Sequence, residues 1–391
     1  MLSSPAYHEE MSLPSSPVYL DHNASTPILP EVVEAMLPWL QDHFGNPSST
    51  HVYGRTMRGA VERAREQLAT LIDSDPAEVF FTSGGTEANN MAIRGLAAAH
   101  PGRRHIVTSV IEHPATSGPC DYLERQGYTV DRVAVNATGH VDIPGIRTVL
   151  SDDSLLVSIM HANSETGTIQ DIGQISPITH EYGALLHTDA AQSLGKIPVS
   201  VRRDNIDLLS VAGHKLYAPQ GVGALFVRHG IDVEPLVIGA GHERGLRPGT
   251  ENVASIVGLG VASSIARRDL ASESRRVGAL RDRLWERLSS EVHGLALNGD
   301  PGNRLPNTLN VRFPGVSGNT LLDACPEIAA STGSACHAAG ESASAVILAM
   351  GVPEEEAIGS VRLTLGRSNT PEQIDFAADA LAKSWKRLSG H

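Results

Sequence analysis

The sequence has few cysteines and no long hydrophobic segment. Its three cysteines, Cys120, Cys325 and Cys336, do not provide a disulfide framework, so we expect a reducing compartment. The longest weakly charged stretches, such as IVGLGVASSIA from Ile256, are too short and too rich in glycine and serine to span a bilayer. Residues 1–17 lack the apolar core of a secretory signal, and we expect a flexible tail there. These absences predict a soluble cytoplasmic protein that does not enter a membrane.

The chain also lacks an excess of positive charge. It carries 31 lysine and arginine residues against 44 aspartate and glutamate residues, which gives a net charge of −13. This balance argues against a broad surface for nucleic acid or for anionic membranes. Hydrophobic residues make up 41% and charged residues 19% of the 391 positions, as in ordinary globular proteins. A chain of this length predicts two domains, one large and one small.

Short apolar runs alternate with amphipathic ones between residues 79 and 227. The runs are almost continuously apolar, which is typical of strands buried on both faces: EVFFT, HIVTSV, LLVSIMH, ALLHTD, DLLSVA and GALFV. Helical patterns separate several of them, as after Thr86 and over 172–182. The predicted fold class is therefore α/β, with a mostly parallel, doubly wound sheet. A long helical pattern over 258–288 leads into mixed strands and helices, which predict a smaller α+β domain.

Polar side chains follow the predicted strands at the point where each strand ends. In doubly wound sheets the ligand lies beyond the carboxyl ends of the strands. The residues at these ends are Thr82-Ser83-Gly84-Gly85-Thr86, His113, Asn163, Asp189 with Gln192, and His214-Lys215. We therefore expect these residues to converge on one pocket.

A phosphate site and a reactive lysine are the two main elements of this pattern. The Gly-rich turn FTSGGT leads into a helix whose free N–H groups can cradle a phosphate, although such turns are as often simple helix caps. The turn lacks the spacing of a nucleoside triphosphate loop. Lys215 follows an apolar strand, where a surface lysine is the commoner case but a desolvated lysine forms Schiff bases. Together with the Asp189 carboxylate, these features match the requirements of pyridoxal 5′-phosphate (PLP).

Four further residues have both a functional and an ordinary interpretation. Gln192 lies one helical turn beyond Asp189 and can reach the ring hydroxyl of the cofactor. His113 can stack on the ring or move protons, although a hydrogen-bonded histidine at a strand end is commoner. Cys336, in a segment rich in small residues, is either an accessible reactive thiol or a buried turn residue. Arg367 either binds a substrate carboxylate or lies on the surface.

These motifs resemble those of the nitrogen-fixation-type cysteine desulfurases and selenocysteine lyases, within the class V aminotransferases of PLP fold type I. The matching segments run from about Tyr19 to Asp375 and are YLDHNASTP, GNPSSTH, FTSGGTEANN, IEHPA, MHANSETG, HTDAAQS, GHKLYAPQGVGALFVR, RGLRPGTEN, TGSACH and RLTLGR. The resemblance implies a large PLP-binding domain over 31–261 and a small α+β domain formed by 18–30 with 262–391. It also implies a homodimer. We predict no metal site.

The resemblance implies a role for each candidate residue. Lys215 would form the Schiff base with PLP and then remove the substrate α-proton. Asp189 would pair with the pyridine nitrogen, Gln192 would contact the ring oxygen, and His113 would stack on the ring and shuttle protons. Gly85, Thr86 and His214 would contact the phosphate, and Thr250 would reach the phosphate bound to the other subunit. Asn163 would contact the cofactor. Asn163 and Arg367 would bind the substrate carboxylate. Cys336 would accept the sulfur.

The implied reaction converts L-cysteine to L-alanine. Cys336 would hold the sulfur as a persulfide for an acceptor protein that serves iron–sulfur clusters, tRNA thiolation or DNA phosphorothioation. A selenocysteine lyase that releases selenide from L-selenocysteine is the second candidate, a branch favoured by the dipeptide Cys336-His337, LPNTLN and RPGTEN. A class V aminotransferase and a sulfur-carrier scaffold without turnover would share the same fold, although the intact set of candidate residues argues against the scaffold.

Two features depart from the family pattern. Ala212 replaces the serine that many relatives carry as a phosphate ligand three residues before the lysine, so one hydrogen-bond donor is missing. The sequence also lacks the longer tail with which housekeeping relatives dock an iron–sulfur scaffold. We therefore do not expect that particular partnership.

Overall fold

The computed structural model describes residues 16–333 and 342–390, so most of the predicted tail and Cys336 lie outside the described residues. The strands are β1 (Val18–Tyr19), β2 (Val79–Thr82), β3 (His105–Ser109), β4 (Thr129–Val133), β5 (Ser154–Ser158), β6 (Leu185–Asp189), β7 (Leu208–Ala212), β8 (Gly223–Val227), β9 (Ala296–Asn298), β10 (Thr308–Arg312), β11 (Ile328–Ala329) and β12 (Ser360–Thr364). The helices are α1 (Pro30–Gln41), α2 (Val52–Ile72), α3 (Gly85–Asn90), α4 (Leu96–Ala99), α5 (Pro114–Arg125), α6 (Ile143–Val149), α7 (Ile172–Glu181), α8 (Val253–Glu291), α9 (Gly318–Asp323), α10 (Ala345–Ala349), α11 (Glu354–Ala357) and α12 (Pro371–Ser389).

The largest sheet has seven strands in the order β2-β8-β7-β6-β5-β3-β4. Pairing is parallel from β7 through β6, β5 and β3 to β4, whereas β8 runs antiparallel to both of its neighbours. Every residue of β3, β5, β7 and β8 is buried, as their apolar sequences predict. The predicted α/β fold with a mostly parallel sheet is confirmed.

Two hydrophobic cores cover the opposite faces of this sheet. Successive strand residues point to opposite sides, so Val107 belongs to one core and Ile106 to the other. The first core contains apolar residues of α2 and of the first half of α8. The second contains Ala88 of α3, Leu96 of α4, apolar residues of the π-helical turn Met91–Gly95 between them, and Cys120 and Leu123 of α5. The carboxyl ends of the parallel strands are therefore held between two layers of helices.

The longest helix, α8, connects this sheet to the rest of the chain. It spans 39 residues and includes the helix that the sequence predicts over 258–288. Its first half contributes Ile256 and Leu259 to a core of the seven-stranded sheet, and its second half contributes Leu280 and Leu284 to a separate core. No helix in the described part of the chain has the length and apolar character needed to cross a membrane.

The separate core belongs to two smaller sheets near the ends of the chain. Strands β9, β10 and β12 form an antiparallel sheet, and β1 pairs in parallel with β11. The core contains Val18 and Leu20 together with apolar residues between 277 and 385. Its composition agrees with a small domain formed by both ends of the chain. The domain limits 18–30, 31–261 and 262–391 stay a prediction.

Candidate active site

A cleft of about 510 Å³ lies at the carboxyl ends of β5, β6 and β7, beside the first turn of α3. This is the position at which doubly wound sheets bind their ligands. Seven of the eleven predicted site residues line the cleft: Gly85, Thr86, His113, Asp189, Gln192, His214 and Lys215. The other lining residues are Asn89, Ala115, Met160, Ala162, Ser164, Ala191 and Ala212.

The Gly-rich turn joins the end of β2 to the start of α3. Gly84 has φ 152° and ψ −179°, a backbone conformation that residues with a Cβ rarely adopt. The Thr82 hydroxyl accepts a hydrogen bond from the Gly84 N–H at 3.3 Å and fixes the turn from within. The first N–H groups of α3 have no acceptor within the helix, and Gly85 and Thr86 line the cleft. This end of the cleft is therefore suited to an anion.

Ala212 faces the start of α3 across the cleft. A Cβ added to Gly85 would lie 3.2 Å from the Ala212 Cβ, a tight contact that glycine at 85 avoids. The methyl group of Ala212 donates no hydrogen bond. Beside it, burial and the charge of Lys215 lower the pKa of His214 to about 4, which leaves the His214 ring neutral. Thr86, His214 and the α3 backbone are thus the polar groups at this end.

Lys215 lies in a tight turn that follows β7 directly. The turn spans Gly213–Lys215, and a Cβ added to Gly213 would lie 2.8 Å from the Val222 carbonyl oxygen on the approach to β8. Thr26, from the N-terminal segment, donates its N–H to the His214 carbonyl oxygen at 2.9 Å. These contacts fix the backbone that carries the Lys215 side chain into the cleft.

Asp189 ends β6, and two hydrogen bonds orient its carboxylate. Its Oδ1 accepts the N–H of Ala191 at 2.9 Å, and its Oδ2 accepts the side-chain amide of Asn89 at 2.7 Å. Asn89 is buried and also lines the cleft, although the sequence analysis did not select it. The carboxylate can therefore accept a further hydrogen bond from a protonated group in the cleft.

His113 caps α5 and presents a defined edge of its ring. Its Nδ1 accepts the N–H of Ala115 at 3.0 Å, so a neutral ring carries its proton on Nε2. Burial and the positive charge of Lys215 lower the pKa of His113, which favours this neutral form. The ring can therefore stack on a ligand or donate through Nε2.

Asn163 is occupied by its own turn. Its Oδ1 accepts the N–H groups of Glu165 at 2.9 Å and Thr166 at 3.0 Å, and its Nδ2 donates to the Ile111 carbonyl oxygen at 3.3 Å. The backbone on either side nevertheless lines the cleft through Ala162 and Ser164. The contacts seen here assign Asn163 to shaping this wall, and its predicted contact with a ligand stays a prediction.

The other predicted residues lie elsewhere. Arg367 donates to the Asp269 carboxylate at 2.9 Å and packs over the Tyr217 ring at 5.7 Å. Thr250 is exposed and lines a neighbouring cleft with Thr82 and Ser83. The predicted thiol, Cys336, lies outside the described residues.

The two cysteines that the sequence analysis sets aside are buried. Burial raises the pKa of the Cys120 thiol to about 12 and also raises that of Cys325. Both thiols therefore stay protonated, and neither acts as a thiolate nucleophile at neutral pH.

Arg362 is a functional candidate that the sequence analysis missed. Its buried guanidinium donates to Asp21 at 2.8 Å and to the Ser164 carbonyl oxygen at 3.2 Å, and its Nε has no hydrogen-bond partner among the described residues. Its positive charge is one cause of the lowered pKa of His113. Arg362 therefore lies close to the cleft, whereas Arg367, five residues on in the same motif, is held by Asp269.

Most of the chain is similar to proteins of known family. The family model described as aminotransferase class-V matches residues 18–376. A cysteine desulfurase of Trichormus azollae is 44% identical over 375 residues, which cover 95% of this chain and 94% of that protein. The alignment therefore includes the cleft, α8 and the smaller sheets.

Two solved structures have a similar fold. A NifS-like protein matches with a TM-score of 0.89 at 35% identity, covering 96% of this chain and 100% of that one. The structure of SspA in complex with cysteine matches with a TM-score of 0.79 at 36% identity, covering 89% of this chain and 98% of that one. The likeness thus extends over both the seven-stranded sheet and the smaller sheets.

Proposed function

The chain belongs to the class V aminotransferase family, and on that premise we propose that it is a PLP-dependent cysteine desulfurase. It would convert L-cysteine to L-alanine and transfer the sulfur to Cys336. The observation that carries the proposal is the convergence of Lys215, Asp189 and the first turn of α3 on one cleft. The similarity to cysteine desulfurases supports this reaction over a selenocysteine lyase and over transamination.

The residues present in the cleft fit PLP. Gly85 lies close to Ala212, and a Cβ at position 85 would fill the space between them. Without that Cβ, the backbone N–H groups at the start of α3 are open to the phosphate. Asp189, held by Asn89, would hold the ring nitrogen, and Lys215 would hold the aldehyde carbon. Gln192 and His113 would contact the ring. When bound, PLP supplies a ring that withdraws electrons from the Cα of the amino acid.

Lys215 and His113 would handle the protons. The Lys215 amine would remove the α-proton of the bound substrate and return it later. The neutral His113 ring, with its proton on Nε2, can donate to a group in the cleft without adding a positive charge beside Lys215. Asp189 would favour the protonated ring nitrogen through its negative charge. Acid, base and counter-ion thus come from three different strand ends.

Arg362 is the residue that would bind the substrate carboxylate. Asp21 and the Ser164 carbonyl oxygen hold its guanidinium at the wall of the cleft, with its Nε unpaired among the described residues. A guanidinium forms two parallel hydrogen bonds with a carboxylate. Arg367 was the predicted residue for this role, and it is the weaker candidate because its partners, Asp269 and Tyr217, do not line the cleft.

Cys336 would accept the sulfur as a persulfide. Its thiolate attacks the substrate sulfur, the C–S bond of the substrate breaks, and its bonding electrons stay with the three-carbon product, which is protonated to alanine. The sulfur then forms the outer atom of a Cys336 persulfide and passes to an acceptor protein. We infer that this delivery takes place in the cytoplasm.

A homodimer is part of the proposal. Leu40, Phe44, Val52 and Tyr53 are all exposed, and the Phe44 and Tyr53 rings stack with centroids 5.0 Å apart. Large apolar side chains exposed side by side, as the Phe44 and Tyr53 rings are, are typical of a surface that binds a partner. Thr250 is exposed and lines the neighbouring cleft, not the candidate active site of the same chain. It would therefore be available to the active site of a second copy of the chain.

The decisive experiment measures alanine release from L-cysteine and from L-selenocysteine by wild type and Cys336→Ala. We expect cysteine turnover to vanish in the variant and to persist in Cys120→Ala, a control that removes a buried thiol. Turnover of selenocysteine alone, retained in Cys336→Ala, would establish the lyase instead. A Lys215→Ala variant with the visible absorbance of wild type would contradict the lysine assignment.

A further inference from the structure

A second lysine lies beside the cleft. The chain contains four lysines, and two of them, Lys196 and Lys215, are in this region. Gly195 brings Lys196 there: its φ is 76°, and an added Cβ would lie 2.2 Å from the Leu216 side chain. Glycine at 195 therefore avoids both a strained backbone and a clash with Leu216, the residue that follows Lys215. The proposed chemistry does not use the Lys196 amine.

The Lys196 amine contacts two buried side chains. Its Nζ donates to Gln192 Oε1 at 2.9 Å and to Asn23 Oδ1 at 3.0 Å. The other end of the Gln192 amide, Nε2, donates to the Asn23 backbone carbonyl oxygen at 3.0 Å. Lys196 and Asn23 therefore hold the Gln192 amide from both ends.

Asn23 is itself held by its neighbours. Its Nδ2 donates to Thr308 Oγ1 at 3.0 Å and to the Ser164 carbonyl oxygen at 3.1 Å, and its Oδ1 accepts from Asn307 at 3.0 Å. These partners come from the smaller antiparallel sheet and from the cleft wall. Because Asn23 cannot move without breaking them, it is a rigid reference point for Lys196.

Donor and acceptor chemistry then decides which way the Gln192 amide faces. The Asn23 carbonyl oxygen can only accept, so it selects the NH₂ end, and the Lys196 N–H selects the oxygen end. The NH₂ group has two hydrogens, and only one is used by Asn23. Because Gln192 lines the cleft, the second N–H is available there.

We propose that Lys196 is a positioning residue that locks the Gln192 amide so that it presents an N–H, not an oxygen, to the cleft. The inference rests on the proposed function, in which Gln192 contacts the ring oxygen of PLP. A ring oxygen that carries negative charge accepts this N–H, whereas the amide oxygen would repel it. Without Lys196, Gln192 Oε1 would be buried without a donor, and only the Asn23 carbonyl oxygen would still hold the amide in this orientation.

The charge around Lys196 is compatible with this role. Burial, and the positive charges of Lys215 and Arg362, lower its pKa well below the ordinary value. The amine has at least two N–H groups in both protonation states, which match its two oxygen acceptors. Lys196 can therefore hold Gln192 without placing a third full positive charge in the site.

The test compares Lys196→Met with wild type as holoenzyme. The readouts are the pH midpoint of the cofactor's visible absorbance and the affinity of the apoprotein for PLP. We expect the midpoint to shift by about one pH unit, in the same direction as in Gln192→Leu, and the affinity to fall about tenfold. Lys386→Met, which removes a lysine paired with Glu291 on the surface, is the matched control and should change neither.

A double variant separates positioning from general structural damage. In the Gln192→Leu background, Lys196→Met should have no further effect on the midpoint, because both changes remove the same N–H. An equal shift in both backgrounds, or a Lys196→Met variant that matches Lys386→Met, would overturn the inference. If Lys196→Met does not fold, Lys196→Gln, whose amide can still donate, should keep the midpoint closer to the wild-type value than Gln192→Leu does, and a shift as large as in Gln192→Leu would overturn the proposal. A wild type that binds no PLP would refute the proposed function instead.

Discussion

Restoring the hydroxyl that Ala212 lacks should tighten cofactor binding. The Ala212 Cβ faces the start of α3, 3.2 Å from the position of a Cβ on Gly85, so Ala212→Ser places a donor at the proposed phosphate cradle. A hydrogen bond to a charged group contributes about 1.5–3 kcal/mol. Because Ala212 is buried, part of that gain is lost when the hydroxyl is desolvated. We take about 1.4 kcal/mol as the net gain, which is about tenfold in affinity.

The assay titrates the apoprotein with PLP and, separately, with pyridoxal, which lacks the phosphate. Ala212→Ser should bind PLP about tenfold more tightly than wild type does and should bind pyridoxal equally well. Ala162→Ser adds the same hydroxyl to the cleft wall that follows β5, and it should leave both affinities unchanged. Unchanged PLP affinity in Ala212→Ser, or an equal gain for pyridoxal, would refute the assignment of this end of the cleft to the phosphate.

Two further predictions concern stability. The Arg65 and Glu243 side chains are 3% and 2% exposed and form hydrogen bonds of 2.7 and 2.8 Å, so Glu243→Gln should cost roughly 3–5 kcal/mol. For a chain of 391 residues this lowers the melting temperature by about 4–6 °C, and a calorimetric shift below about 1 °C would contradict it. Burial lowers the pKa of His187 from 6.5 to about 4, so its stabilising effect is complete above pH 6.5 and is lost as the pH falls towards 4. His187→Gln should therefore flatten the fall in melting temperature over that interval, and an unchanged slope would disprove this origin.

Much of the fold could be predicted because buried parallel strands have a distinct sequence. The six predicted apolar runs correspond to β2, β3, β5, β6, β7 and β8. The missing strand, β4, lies at the edge of the sheet, where Asp131 and Arg132 are not fully buried. Its sequence therefore lacks the continuous apolar character that identified the others.

The cleft could be predicted because strand ends converge in three dimensions. The prediction needed no knowledge of the strand order, because parallel strands all end at one edge of the sheet. Three strand ends supply Lys215, Asp189 and His113 to that edge. Asn89 and Lys196 could not be found this way. They contact Asp189 and Gln192 through pairings between side chains that no spacing in the sequence encodes.

The sequence alone could not decide between Arg362 and Arg367 as the residue that binds the substrate carboxylate. Both belong to one motif, and either guanidinium suits a carboxylate. What separates them is the pairing of β12 with β10, which aligns Arg362 with Asn310 inside the smaller sheet, so that its side chain passes towards Ser164. Arg367 follows the end of β12, where α8 supplies Asp269 as its partner. Both arginines pair with an aspartate, so the presence of a carboxylate partner does not rank them. Position does, because Arg362 also donates to Ser164 in the cleft wall, whereas the partners of Arg367, Asp269 and Tyr217, do not line the cleft.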